Sequence, residues 1–434
     1  MPRRPSPHRR RGARSPDDRR RLRLRNAGAA LTALTALTAT SLVAGPARAA
    51  TGPEGCALQR TEAHHSEGLD TWNAAYPKPR RSLDAVLVFL SFPDSRPLTT
   101  PRELAADHFP ATTRFYQRAS YGRFTLRPHP QKQWVRMPKP STAYGIRRDW
   151  DAGRRAAYLR DAVTAADPRT DFAKYDVVYF IADPDAPGVD SDATKVVNLD
   201  QPVEADGAPL RRIVTVFEQH PPDRNVLAHE TGHVFDLPDL YHRPADGKGD
   251  WDTYVGDWDV MGSQFGLAPD LFGWHKWKLG WLDPRQVVCV EGEGHTRLTL
   301  EPLSAAPAAT AAVSHRVFGT GRGTKLAVIR TGRSGAVAVE ARGAAGNDST
   351  TCTEGLLVYR VRSTTVSGGG PVEVLDTHPR TSACRETSVY PPLADAPLRE
   401  GERFTVREGR VRIDITAEGR TRAGDWTVHI ATSG

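Results

Sequence analysis

The chain lacks an apolar run that spans a bilayer. Its longest, Ala27 to Ala44, is too short and no other segment qualifies, which excludes integral membrane association. It lacks an internal repeat, and it lacks the basic surplus that a formal charge of +8 suggests. Residues 1–49 carry twelve arginines against two aspartates; setting them aside reduces 59 basic and 51 acidic residues to 47 and 49, a net charge near −2. No stripe of basic residues interleaved with aromatics remains, so nucleic acid is excluded as a partner. Cysteine is scarce, at four residues, and methionine scarcer, at three.

What is present begins with a basic stretch, an apolar run and Ala47-Arg48-Ala49 ahead of Ala50, the order of a secretory signal. Residues 1–49 are therefore expected to be a signal peptide and the protein secreted and extracellular, with Arg19-Arg20-Arg21 leaving the general and twin-arginine routes both open. An even cysteine count in an exported chain predicts two disulfides among Cys56, Cys289, Cys352 and Cys384. Three pairings are open; a shared place in the tail favours Cys352 with Cys384, leaving Cys56 with Cys289.

The residues that carry chemistry are His229-Glu230-Thr231-Gly232-His233. On a helix, positions i and i+4 share a face, so His229 and His233 can bind one zinc ion with Glu230 beside them as general base. Arg211 to Phe217 reads as a strand leading to this helix, Asn225 to Ala228 supplies its apolar start, and Pro238 stops it. A helix cut off directly after its second ligand resembles the metzincin arrangement, in which a third ligand returns ten residues beyond the first. Here that residue is Asp239. The metzincin turn has glycine where this chain has Asp236, a residue that tolerates positive φ better than most. Met261, twenty-eight positions after His233, lies where metzincins place a turn whose methionine forms an apolar floor beneath the metal, and that resemblance implies the same role here.

With these residues in view, the chain resembles the immune inhibitor A-like secreted bacterial metallopeptidases. The likeness rests on His229 to Tyr241, Trp258-Asp259-Val260-Met261-Gly262 and Lys276 to Leu282, with weaker echoes at Val86–Asp94, Ser120–Phe124 and Gly355–Val361, spanning roughly residues 83 to 365. It implies a zinc endopeptidase acting on proteins or peptides, with His229, His233 and Asp239 as ligands. Tyr241 and Tyr254 are both candidates to steady the oxyanion, and spacing does not rank them. His220 and His242 are expected to be structural or surface residues, and His275 a surface one. A sharper role for Cys56, as a zinc-blocking thiol in a propeptide, competes with the disulfide that the even count favours.

The expected fold class is α+β. Residues 50–82 form an N-terminal arm or residual propeptide, and 83–288 a metzincin-like peptidase domain with a mixed sheet and the active-site helix. Residues 289–434 form an antiparallel β-sandwich. Strands are expected at Val86–Phe92 and Asp176–Ala182, paired strands over Phe124–Val135, and helices at Glu103–Ala119, Arg154–Ala166 and Phe272–Leu282. Asp183, Asp185, Asp190 and Asp192, and the loop Asp246 to Asp252, offer oxygens to calcium or are solvated loops. Ser304–Thr310 and Gly368-Gly369-Gly370 read as flexible insertions. The expected activity is water-mediated hydrolysis of peptide bonds by a monomeric enzyme; an inactive relative that binds through its sandwich, and a zinc amidase trimming cell-wall peptides, are the alternatives.

Overall fold

The computed structural model describes residues 53–244, 248–305 and 323–434. The expected signal peptide lies outside them, as do Asp246 and Gly247 of the second acidic loop and positions 306–310 of the first insertion. Within the compact unit 50–434, the described residues have α+β architecture with three sheets and few helices.

β1 (Arg81–Ser91) is the spine of the first sheet. Its side chains divide with period two: Ala85, Leu87 and Phe89 enter one apolar cluster, Val86, Val88 and Leu90 another. That near-continuous hydrophobic run is what a strand covered on both faces requires. β2 (Phe124–Pro130) and the short β3 (Val135–Arg136) each run parallel to β1, rather than pairing with one another as the alternation over 124–135 suggests. β4 (Val177–Ala182) flanks β1 on the other side. The hairpin of β5 (Lys195–Ala205) and β6 (Ala208–Val216) completes the order β2-β1-β4-β6-β5, with β6 parallel to β4 and β5 antiparallel at the edge. Asp206 and Gly207, at φ 51° and 71°, make the tight turn between them.

α1 (Pro101–His108) starts on a Thr100/Glu103 capping box with Pro101 in its first turn. The helical spacing that runs on to Ala119 is split, because Pro110 has no N–H to donate and Phe109 stays extended; α2 (Ala111–Ala119) begins afresh. α3 (Ala152–Ala166), capped by Asp151, lays Tyr158, Leu159, Ala162 and Val163 on the Val86/Val88 face of the sheet. α4 (Val226–Val234) packs in the opposite cluster, with Leu87 and Phe89. α5 (Gly273–Lys278) follows, shorter than the 272–282 stripe suggests. Among the described residues no helix is long and apolar enough to cross a membrane.

The C-terminal strands are β7 (Val287–Val290), β8 (Gly294–Leu300), β9 (Leu326–Arg330), β10 (Gly335–Arg342), β11 (Gly355–Arg362), β12 (Val372–Val374), β13 (Arg403–Glu408), β14 (Val411–Arg420) and β15 (Trp426–Ser433). They form two sheets, β12-β11-β10-β9-β7 and β13-β14-β15-β8, antiparallel except where β7 runs beside β9. Ile329, Val337, Val339, Ile413, Val428 and Ile430 fill the space between the sheets. Val328, Ala336, Ala338 and Tyr359, on the other face of the first sheet, join the cluster that contains Leu87 and α4. One apolar core thus runs from the first sheet into the sandwich. Arg342 at the end of β10 is fully buried there: it pairs with Glu340 (3.0 Å) and Asp348 (2.8 Å) and donates to the carbonyls of Trp258, Ala268 and Asp270. The sandwich thereby grips the segment that carries Met261.

Cys56 is bonded to Cys289 and Cys352 to Cys384, with Cα separations of 5.5 and 6.2 Å. No thiol remains at Cys56 to block a metal. The N-terminal arm is not peripheral either, since Cys56 and Leu58 lie within the main apolar cluster.

Candidate metal centre

α4 is buried along its whole length and holds the two histidines on one face. It ends at Val234, before Pro238 can act. The reversal is made by Asp236 at φ 64°, with the N–H of Leu237 donating to the carbonyl of Gly232 (3.1 Å), a left-handed helix exit of the kind glycine usually supplies. Here the aspartate is retained by its side chain. Its carboxylate accepts from Arg60 Nη1 (2.7 Å) and pairs with His65 Nδ1 (2.9 Å), and its carbonyl accepts from Lys278 Nζ (2.6 Å). Two of those three partners come from the N-terminal arm.

The turn delivers Asp239 to the histidines. Asp239 Oδ1 lies 2.9 Å from His233 Nε2 and 3.4 Å from His229 Nε2, and the two Nε2 atoms are 3.3 Å apart. His229 Nδ1 faces the carbonyl of Val260 and His233 Nδ1 that of Leu237, each at 2.8 Å. A carbonyl only accepts, so each ring carries its proton on Nδ1 and turns a lone pair inward. With Nε2 deprotonated, two imine nitrogens and a carboxylate oxygen converge, a set suited to a cation, for which a proton on His233 Nε2 is the competitor. Burial opposes charge on His233, but Asp239 outweighs it and holds the ring up at about 9, while Asp239 itself, despite burial, is held well below the usual carboxylate range by His233 and His229. The pocket favours positive charge. Among the described residues no other group of three or more such side chains converges in this way.

Ser367 is a site residue the sequence did not reveal. Its Oγ donates to Asp239 Oδ2 (3.0 Å) and accepts from the Asp239 N–H (2.8 Å), and the N–H of Gly368 donates to the Asp239 carbonyl (2.9 Å). The glycine-rich segment at 368–370 is thus a clamp on Asp239, not a free insertion. Ser367→Ala is expected to weaken zinc binding about tenfold, measured by competition with a chromogenic chelator, because an unoriented carboxylate is a poorer ligand.

Glu230 is 8% exposed, and its Oε2 accepts the Val196 N–H of β5 at 2.6 Å. Burial raises its pKa, partly countered by His229 and His233. It lines an open cleft of about 620 Å³ together with His229, His233, Asp239 and Tyr241. Tyr241 stacks on His229 with centroids 6.3 Å apart. Tyr254 is instead turned toward His242 and Gly370 and is not part of the cleft wall. His220 pairs with Asp107 at the surface, and neither it nor His242 joins the metal group.

Met261 is fully buried against the helix: a Cβ added at Gly232 would lie 2.3 Å from its Sδ. Its N–H donates to Asp259 Oδ1 and its carbonyl accepts from Leu240. Asp259 in turn binds His275 Nδ1 (3.0 Å), whose Nε2 meets Glu67 (2.7 Å) from the arm. His275 is therefore fully buried, not a surface residue: its ring bridges two carboxylates that would otherwise be buried charges. Burial disfavours its protonation, yet Glu67 and Asp259 prevail and hold it up at about 9. Because the folded pKa exceeds the ordinary value of about 6.5, the stabilisation is complete below pH 6.5 and is lost as pH rises through 9, on the order of 3 kcal/mol in all. Thermal unfolding between pH 6 and 10 is expected to show this loss in the native chain and not in His275→Gln.

Five of the carboxylates considered for calcium have protein partners. Asp183 binds Ser95, Asp185 the Leu98 N–H, Asp190 the Asp192 N–H, and Asp192 Arg148; Asp250 accepts from the Asp252 N–H.

No protein-family profile and no curated protein matches this chain. Among solved structures, wild-type OgpA from Akkermansia muciniphila aligns over 84% of this chain and 96% of its own, at 12% identity and a TM-score of 0.28.

Proposed function

We propose that the chain is a secreted zinc-dependent endopeptidase, metzincin-like in its site and related to the immune inhibitor A-like metallopeptidases its motifs resemble. The observation that carries this reading is the convergence of His229 Nε2, His233 Nε2 and Asp239 Oδ1 beside buried Glu230 in an open cleft. Zinc held by these three would supply Lewis acidity, acidifying water and polarising a peptide carbonyl. The chain's own residues do the rest. Val260 and Leu237 fix the tautomers of the histidines through their carbonyls, and Ser367 fixes the carboxylate. Glu230, anchored through Oε2 on β5, receives a proton from water and returns it to the departing amine; a carboxyl whose pKa is raised by burial is suited to both. Tyr241, which stacks on His229 and lines the cleft, would be the phenol that donates to the developing oxyanion.

The test is chelator-sensitive cleavage of casein by the mature chain, with purified peptidoglycan as the second substrate. Casein cleavage lost on chelation and restored by zinc is expected. Cleavage of peptidoglycan alone would assign an amidase, and cleavage of neither, by zinc-replete folded protein, would refute the reading.

A further inference from the structure

One wall of the cleft gathers four cations from three parts of the chain: Arg148 in the loop before α3 and Arg155 in its first turn, Lys195 on β5, and Arg243 beyond Asp239. Two have counter-charges. Arg148 pairs with Asp192 at 2.9 Å and Arg243 with Asp149 at 2.7 Å. Lys195 Nζ donates only to the Arg148 carbonyl, at 2.5 Å, and among the described residues neither Lys195 nor Arg155 has a carboxylate within ion-pair distance. Burial, then Arg155 and more weakly Arg243, depress the Lys195 pKa, while Glu230 and Asp149 act in the other direction without reversing the shift. Asp252, also on the cleft, is held up at about 7 by burial and by Asp250 and Asp257, which weakens its claim on these cations.

The wall lies close to the chemistry. Lys195 precedes Val196, whose N–H anchors Glu230, and Glu230 is among the charges that act on Lys195. A stack leads from a proposed ligand to the cations: His229 on Tyr241 (6.3 Å), Tyr241 on Trp251 (5.3 Å), and Arg148 over Trp251 (5.2 Å). Trp251 fixes the position of the Arg148 guanidinium beside the subsite, and the planar fork of Arg155 is the one left to match a planar carboxylate.

We propose that this wall is a carboxylate subsite, in which Arg155 and Lys195 receive an acidic side chain or the terminal carboxylate of a peptide lying in the cleft. The inference rests on the peptidase reading of the same cleft and gives it a substrate class: peptides with an anionic group near the scissile bond. An electrostatic wall of this kind acts on encounter and register as well as on affinity.

The test is fluorescence anisotropy of dye-labelled nonapeptides titrated with the mature protein. One Glu is moved along the sequence, each peptide is compared with its Gln twin, and each is made with a free and an amidated C-terminus. At one register, or with the free terminus, binding is expected to be about fivefold tighter than for the uncharged twin, the advantage shrinking toward unity at high salt and in Arg155→Gln and Lys195→Gln. A Glu-specific advantage assigns a side-chain subsite, and a terminus-specific one a C-terminal carboxylate subsite. Equal binding of charged and uncharged twins at every register, or no peptide binding by protein that cleaves casein, overturns the subsite while leaving the peptidase reading intact. A clear Glu advantage in protein that cleaves nothing does the reverse.

Discussion

Glu230→Ala is expected to reduce peptide-bond cleavage by about 10³-fold while leaving zinc content unchanged. The separation follows from geometry. Glu230 is not one of the three converging ligand atoms, so its loss takes no donor from the metal. It is the buried carboxylate next to them on the cleft, with Oε2 committed to the Val196 N–H and, among the described residues, no hydrogen bond on Oε1. Removing it takes away the carboxylate that lies beside the three converging atoms. Stopped assays on a fluorogenic peptide, with metal analysis of the same preparation, check both halves. Full activity in the variant would refute the role; loss of activity together with metal would make Glu230 structural instead.

Asp236→Gly is expected to destabilise the fold by roughly 3 kcal/mol, although glycine is the residue such a helix exit ordinarily prefers. The backbone at φ 64° would gain about 1 kcal/mol from losing its Cβ. Against that, Asp236 is fully buried and its carboxylate is the partner of Arg60, 18% exposed, and His65, 2% exposed. Deleting it strands a guanidinium and an imidazole in the interior, and an uncompensated buried charge costs more than the turn recovers. Urea unfolding of the wild type, Asp236→Gly, Arg60→Ala and the double variant measures the balance. Strong coupling between positions 60 and 236 is expected, whereas a more stable Asp236→Gly would show that the turn alone governs this position. The same pairs predict that the arm belongs to the working protein, because residues 60 and 65 hold the turn that presents Asp239.

How much of this was legible in sequence depended on the reach of each interaction. The helix with His229 and His233 follows from their spacing, the return of Asp239 and the placing of Met261 from the likeness to metzincins within some thirty residues, and the period-two division of β1 is written in its apolar run. The two disulfides join the cysteines that position in the chain favoured. What escaped depends on distant partners. Residues 60 and 65 meet Asp236 across more than 170 positions, and Ser367 meets Asp239 across 128. His275 sits on a tryptophan-rich helix whose pattern says nothing of Glu67, 208 residues away, so a buried bridging imidazole read as a surface one. β5 was missed because Asp200 and Pro202 interrupt its pattern; as an edge strand it can carry both, and it is the strand that anchors Glu230. The break between α1 and α2 was missed because apolar spacing continues through Pro110, whereas hydrogen bonding does not.

The most direct measurement is the metal content of purified mature protein by mass spectrometry, alongside the His233→Ala and Asp239→Ala variants. About one equivalent of zinc per chain is predicted for the native protein, with loss of most of it in each variant while the fold, followed by circular dichroism, persists. Correctly folded native protein that holds no transition metal and takes none up when zinc is supplied would contradict the account.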